Sequence, residues 1–195
     1  GVPENVIFNT KPEIALDQIR TALLAGVPSG VVLADAGYGV DTPLPGWSMT
    51  KTVAAMLAYK KFEEVGLDIE TPVVDAFPEG RAPDWVTQWR EDERAQITVA
   101  DLMYMRAGLK IGEGYDPGSD VLDMLYNQPD MASWAAGHPS EFPPGTNWEY
   151  LSAVSNILAQ VVQAQFPSDA EYWTYSRTAL FEPLGVTTAT LETDV

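Results

Sequence analysis

Apolar positions recur at helical spacing along most of this chain, and form strand-like runs in only two short places. Residues 12–25 bring Ile14, Ile19, Leu23 and Leu24 roughly onto one face, which predicts a short helix. Val31-Val32-Leu33-Ala34, between Gly30 and Gly37, reads as a short buried strand. A turn-rich passage follows from Gly39 to Trp47, with Pro43, Pro45 and Gly46. Ser48 to Val65 then predicts a long helix stopped by Gly66. Its apolar character runs nearly all round until Lys60, so it should be the central buried helix.

Residues 70–96 are rich in proline and charge, and read as surface loop with a short helix near Trp85. Thr98 to Ala107 predicts a second helix, with Thr98 and Asp101 spaced as a capping pair and Gly108 at the far end. Shorter helices are expected over Asp120–Tyr126 and Met131–Ala136. Pro143-Pro144-Gly145-Thr146 reads as a tight turn, and Ser155–Phe166 and Ala170–Leu180 as two further helices. The β-branched stretch from Gly185 to Leu191 then begins as a strand with nothing to pair with, so a further C-terminal segment is expected.

Composition narrows the function classes. Across 195 residues, 28 acidic side chains face 11 basic ones, a formal charge of −17, which argues against nucleic-acid binding because phosphate neutralisation needs clustered Lys and Arg. Cysteine is absent, which removes thiol nucleophiles, disulfides and cysteine metal sites. The single histidine, His138, lies in a Gly-His-Pro loop and reads as a turn residue. Glu63-Glu64 and Glu91-Asp92-Glu93 read as solvated faces, and Asp116, Asp120 and Asp123 lack the spacing of a calcium loop. No apolar run approaches the ~20 residues that span a bilayer. With no internal repeat or linker, residues 1–195 read as one domain, and the compartment stays open.

Two local patterns carry chemistry. Ser48-Met49-Thr50-Lys51 sets a hydroxyl at a helix start and an amine one turn later on the same face. Serine needs an adjacent base to become a nucleophile, and a lysine stripped of water by burial can act as one. The helix start adds N–H groups suited to a developing oxyanion. A serine before an apolar helix is, however, also an ordinary N-cap. In Tyr150-Leu151-Ser152, a phenol and a hydroxyl two residues on share one side of an extended segment. The plain alternative is a core tyrosine followed by a serine that opens a helix.

Together these blocks resemble the serine β-lactamase and penicillin-binding-protein superfamily. The resemblance rests on Gly46-Trp47-Ser48-Met49-Thr50-Lys51-Thr52, on Ile97-Thr98-Val99-Ala100-Asp101-Leu102-Met103 with Ala107-Gly108-Leu109, and on Pro144-Gly145-Thr146 through Tyr150-Leu151-Ser152 to Ser155-Asn156. It is closest to the class C-like branch, where tyrosine heads the second motif, and within it to esterases and 6-aminohexanoate-dimer hydrolase-like proteins. Asp41-Thr42-Pro43-Leu44, Glu113-Gly114-Tyr115-Asp116-Pro117 and Ser119-Asp120-Val121 lean the same way. Leu151 departs from the pattern, which has a small polar residue there. No Lys-Thr-Gly, His-x-Gly or Trp-x-Gly triplet follows Tyr150.

The resemblance implies an α+β fold of β-lactamase/transpeptidase type, present here largely as its helical part with the sheet incomplete. It implies catalysis by Ser48, Lys51 and Tyr150 through an acyl-enzyme, with Tyr115 and Ser152 as substrate-binding candidates. No metal or organic cofactor is implied. The expected partner is a small ester or amide substrate, and a missing C-terminal segment of the same protein is a second. The competing reading is a truncated or non-catalytic homologue that keeps the fold as a binding or structural module.

Overall fold

The structure, a computed structural model, describes residues 46–191. The helix expected over 12–25, the strand over 31–34, most of the turn-rich passage and Asp41-Thr42-Pro43-Leu44 lie outside the described residues. After a 3-10 turn, Trp47–Met49, the described residues form seven α-helices, α1 (Thr50–Val65), α2 (Trp85–Trp89), α3 (Val99–Met103), α4 (Asp120–Asn127), α5 (Met131–Ala136), α6 (Ser152–Ala164) and α7 (Asp169–Ser176), with two more 3-10 turns, Val73–Asp75 and Glu93–Gln96, and a π-helix, Arg177–Phe181, continuing α7. Among the described residues β-structure amounts to two isolated antiparallel bridges, Pro72 to Thr98 and Leu109 to Ser140. The sheet half of the expected α+β fold is therefore not found in this region, which is helical. No helix of the described residues is long and apolar enough to cross a membrane.

The hub is α6 rather than α1. Ala153, Val154, Ile157, Leu158, Val161 and Val162 are buried along it, and α1, α3, α4 and α5 all pack against it. On α1 only Val53, Leu57, Ala58 and Phe62 are buried, while Met56 and Tyr59 are exposed, so the expectation of a central buried α1 is corrected. An apolar residue does not have to be an interior one: α1 has helices against one side, Ala54 and Ala55 are half-buried, and Met56, Tyr59 and Val65 face outward. The glycine stop is as expected. Gly66 takes a left-handed φ of 71°, and Leu67 N–H donates to the Phe62 carbonyl at 2.9 Å.

Residues 70–96 are not simply a surface cover. Val73, Trp85, Val86 and Trp89 enter the main core, and the buried indoles find acceptors: Trp89 Nε1 donates to the Ala136 carbonyl at 2.8 Å, and Trp85 Nε1 to Gln160 Oε1 at 2.9 Å. The charges that made the segment look like a loop are paired: Arg90 with Asp75 stays outside, while Arg94, bonded to Asp92, turns largely inward and donates to the Ala136 and His138 carbonyls. The stretch from 186 to 191 forms no strand either. Val186, Ala189 and Leu191 pack on a small second cluster of Val53, Leu57 and Phe181, so side-chain burial replaces strand pairing.

Two local devices deliver the chain to the site. The Thr98–Asp101 pair is a complete capping box: Asp101 N–H donates to the Thr98 hydroxyl at 3.1 Å, and Thr98 N–H donates to the Asp101 carboxylate at 3.1 Å. The helix it starts ends at Met103, earlier than the expected Ala107, and Met105 then turns the chain with a φ of 57°. Beyond it, residues 139–149 run beside 105–110. Glu141 N–H donates to the Gly108 carbonyl at 2.8 Å, Gly145 N–H to Arg106 at 2.9 Å, and Glu149 N–H to Met105 at 2.9 Å. This anchored segment carries Tyr150 and Ser152 to the start of α6.

Gly108 sits where that segment crosses, with φ +72° and no room for a Cβ beside the Phe142 carbonyl. Gly108→Ala should therefore cost roughly 2–5 kcal/mol, left-handed strain plus overlap, against about 1 kcal/mol for Gly66→Ala, which has open space around it. Urea denaturation midpoints of the two variants check this, and equal losses would contradict it.

Candidate active site

Trp47 holds a left-handed φ of 45°, which is uncommon for a bulky residue, and the tight 3-10 turn that it begins puts Ser48 at the surface immediately before α1. One turn on, helical spacing brings Lys51 back beneath the serine. Lys51 Nζ donates to Ser48 Oγ at 3.0 Å and to Ser152 Oγ at 3.1 Å. The Tyr150 ring lies 5.2 Å from the same nitrogen, and its phenol stands close enough to Ser48 and Lys51 for both to lower its pKa. An ammonium has three donors, and two serine oxygens accept from this one.

Ser48 is exposed and Lys51 half-buried, so the pair occupies an open rim among the described residues rather than a sealed pocket. The apolar side of α1 behind Lys51 borders a cavity of about 110 Å³, lined by Ala54, Leu102, Met105, Leu158 and Trp173 among others.

Partial burial pushes the Tyr150 phenol up, but its hydrogen bonds to Ser48 and Lys51 and the Lys51 charge outweigh that. The phenol is left below its ordinary value, with the Glu113 carboxylate working in the opposite direction. For Tyr115, the charge of Glu113 is the largest influence and holds the phenol above its ordinary value, which keeps it protonated.

Glu113 had no place in the sequence reading beyond the stretch that contains Tyr115. Its carboxylate accepts the Ser152 N–H at 2.7 Å and the Ser152 hydroxyl proton at 2.5 Å, and the Tyr115 hydroxyl reaches it at 3.4 Å. The signal for it shows only once the start of α6 is known. Ser152 opens α6, and the residue before it is Leu151, which has no side-chain oxygen to cap the first free N–H groups; an acceptor had to come from elsewhere in the chain. Leu151 itself is buried in the core, so its departure from the polar pattern serves packing.

Ser48, Lys51, Tyr150 and Ser152 thus meet around one nitrogen, and Tyr115 joins them through Glu113. His138 is held in its turn by Trp134, whose carbonyl lies 3.0 Å from Nδ1 and whose ring stacks at 4.2 Å. Among the acidic pairs, Glu64 accepts from Tyr175 at 3.0 Å and pairs with Lys60 at 3.3 Å, while Asp92 pairs with Arg94, whose hydrogen bond holds that carboxyl below its usual range.

The model of the Beta-lactamase family matches residues 11–195 of the chain. The chain belongs to the Beta-lactamase family. No curated protein matches the chain. A crystal structure of SurE resembles it with a TM-score of 0.51 at 24% identity, over 76% of this chain. That likeness speaks for the fold alone. The chain spans 29% of the length of that SurE structure.

The Tyr150 environment in this β-lactamase-family chain is open to direct measurement. Lys51→Met removes a hydrogen bond and a positive charge that both lower the phenol, so Tyr150 should titrate at higher pH in the variant. An ultraviolet absorbance titration, differenced against Tyr150→Phe in each background, measures it. An unchanged Tyr150 titration would contradict the arrangement.

Proposed function

We propose that this chain carries the nucleophilic half of a serine hydrolase of the class C-like branch, cleaving a short ester or amide through an acyl-enzyme on Ser48. The observation that carries the reading is the contact of Lys51 Nζ with Ser48 Oγ at 3.0 Å, with the Tyr150 ring 5.2 Å from the same nitrogen. Family membership supports the same chemistry.

In this reading Ser48 Oγ attacks the carbonyl carbon while Lys51 and Tyr150 together take its proton. A phenol below its ordinary value is a better partner in that transfer near neutral pH than an unperturbed one, since efficient proton exchange needs a pKa nearer the working pH. The tetrahedral oxyanion forms against the Ser48 N–H at the head of α1, where the helix dipole favours negative charge. The proton then passes to the leaving alkoxide or amine. Water attacks the acyl carbon, with the same pair accepting its proton, and frees Ser48.

Tyr115 is proposed as a substrate contact. It is 65% exposed, and its hydroxyl lies 3.4 Å from Glu113 Oε1, which in turn holds Ser152. Ser152 is proposed as a second contact, through the hydroxyl it shares with Lys51. The Tyr-headed second motif is what favours the class C-like branch.

A fluorophosphonate probe should label the chain once, with all label lost in Ser48→Ala. With p-nitrophenyl esters, Lys51→Ala and Tyr150→Phe should each slow acylation by about 100-fold or more. Absence of labelling in well-folded protein would overturn the enzyme reading and favour a non-catalytic homologue.

A further inference from the structure

Ser152 stands at the junction of two networks. Its oxygen accepts from Lys51 Nζ at 3.1 Å, while its own hydroxyl proton goes to Glu113 Oε1 and its N–H to Glu113 Oε2. A hydroxyl has one proton to give and two lone pairs with which to accept. An ionised carboxylate can only accept, so a Glu113 carboxylate on this hydroxyl decides its direction. The proton points to Glu113, and what remains for Lys51 is a lone pair.

We propose that Glu113 is a positioning residue: it orients Ser152 so that its oxygen, and never its proton, faces Lys51 beside Ser48. The inference deepens the hydrolase reading and rests on it for its kinetic consequence. With the hydroxyl reversed, Ser152 would withdraw an acceptor from the Lys51 ammonium and, once that amine has given up a proton to act as base, would compete with Ser48 for its lone pair. The two-point grip resists that reversal. The N–H of Ser152 is fixed by α6 and fixes Oε2, and the rigid carboxylate then presents Oε1 to the hydroxyl.

A plain capping role for Glu113 at the start of α6 is the competing account, and the two differ in what they require of the Ser152 hydroxyl. A cap needs only the N–H. Glu113→Gln keeps an amide oxygen for that N–H but places an NH2 group on Ser152 Oγ, which turns the hydroxyl proton away toward Lys51. Ser152→Ala removes the hydroxyl and leaves the N–H in place.

The test is a double-mutant cycle on the rate of Ser48 labelling by the fluorophosphonate, with thermal melts of all four proteins. Glu113→Gln should slow labelling about tenfold in the parent chain, and by less than about twofold in the Ser152→Ala background, because it acts through that hydroxyl. Equal losses in both backgrounds, or none in the parent, would overturn the proposal and leave Glu113 as a cap.

A parent chain that is not labelled at Ser48 would count against the hydrolase reading instead, and a second readout still decides the inference. The titratable groups facing Tyr150 are Lys51 from α1 and Glu113 and Tyr115 from the loop before α4. Neutralising Glu113 removes a charge that raises the Tyr150 phenol, so Tyr150 should titrate at lower pH in Glu113→Gln. A Tyr150 titration unmoved by Glu113→Gln would show that the carboxylate is not seated there, and would overturn the inference whatever the chain's activity.

Discussion

The contact on which this arrangement depends joins residues 101 positions apart: Lys51 Nζ on α1 donating to Ser152 Oγ at the first turn of α6. Everything around it serves to bring two helix starts together. The short turn at Trp47–Met49 places Ser48 over Lys51, and the 139–149 segment, tied to 105–110 by main-chain bonds, places Tyr150 and Ser152 on the other side. The packing of α1 on α6 through their buried apolar faces supplies the stability. The polar site is the edge of that apolar contact, where the two helix starts meet and the first N–H of α6 is taken up by Glu113.

Charge at that edge is balanced locally, although the chain as a whole is strongly acidic. A lysine and a glutamate stand on opposite sides of the Ser152 hydroxyl, and two phenols answer to them differently. Tyr150, beside the lysine, is lowered; Tyr115, beside the glutamate, is raised. Two identical side chains a short distance apart are thereby given opposite tendencies, one toward losing a proton and one toward keeping it. Division of labour between an acid and a base is commonly built in this way, by environment rather than by residue type.

Local signals were enough for much of this. The extent of α5, Met131–Ala136, is that expected from its pattern, and the Thr98–Asp101 capping box follows from two side chains and a spacing of three. The Ser-x-x-Lys pair is legible because helix geometry alone brings i and i+3 together. Readings failed where a distant partner decided the outcome. The start of α6 lies three residues earlier than the apolar period indicates, because Ser152 is held by Glu113 from 39 residues away. The tryptophans of α2 are core residues inside a charged sequence, since their burial depends on acceptors at Ala136 and Gln160. Glu113 was hidden for the same reason: its importance lies in an N–H left uncapped by Leu151, a vacancy visible only once α6 is known to begin there.

The central claim is that one lysine nitrogen, that of Lys51, is shared between Ser48 and Ser152. A crystal structure of the chain after reaction with a fluorophosphonate tests it most directly. The account predicts phosphorus bonded to Ser48 Oγ, with Lys51 Nζ still within hydrogen-bond reach of both that oxygen and Ser152 Oγ. Phosphorus on another residue, or a Lys51 side chain extended into solvent away from Ser152, would contradict it.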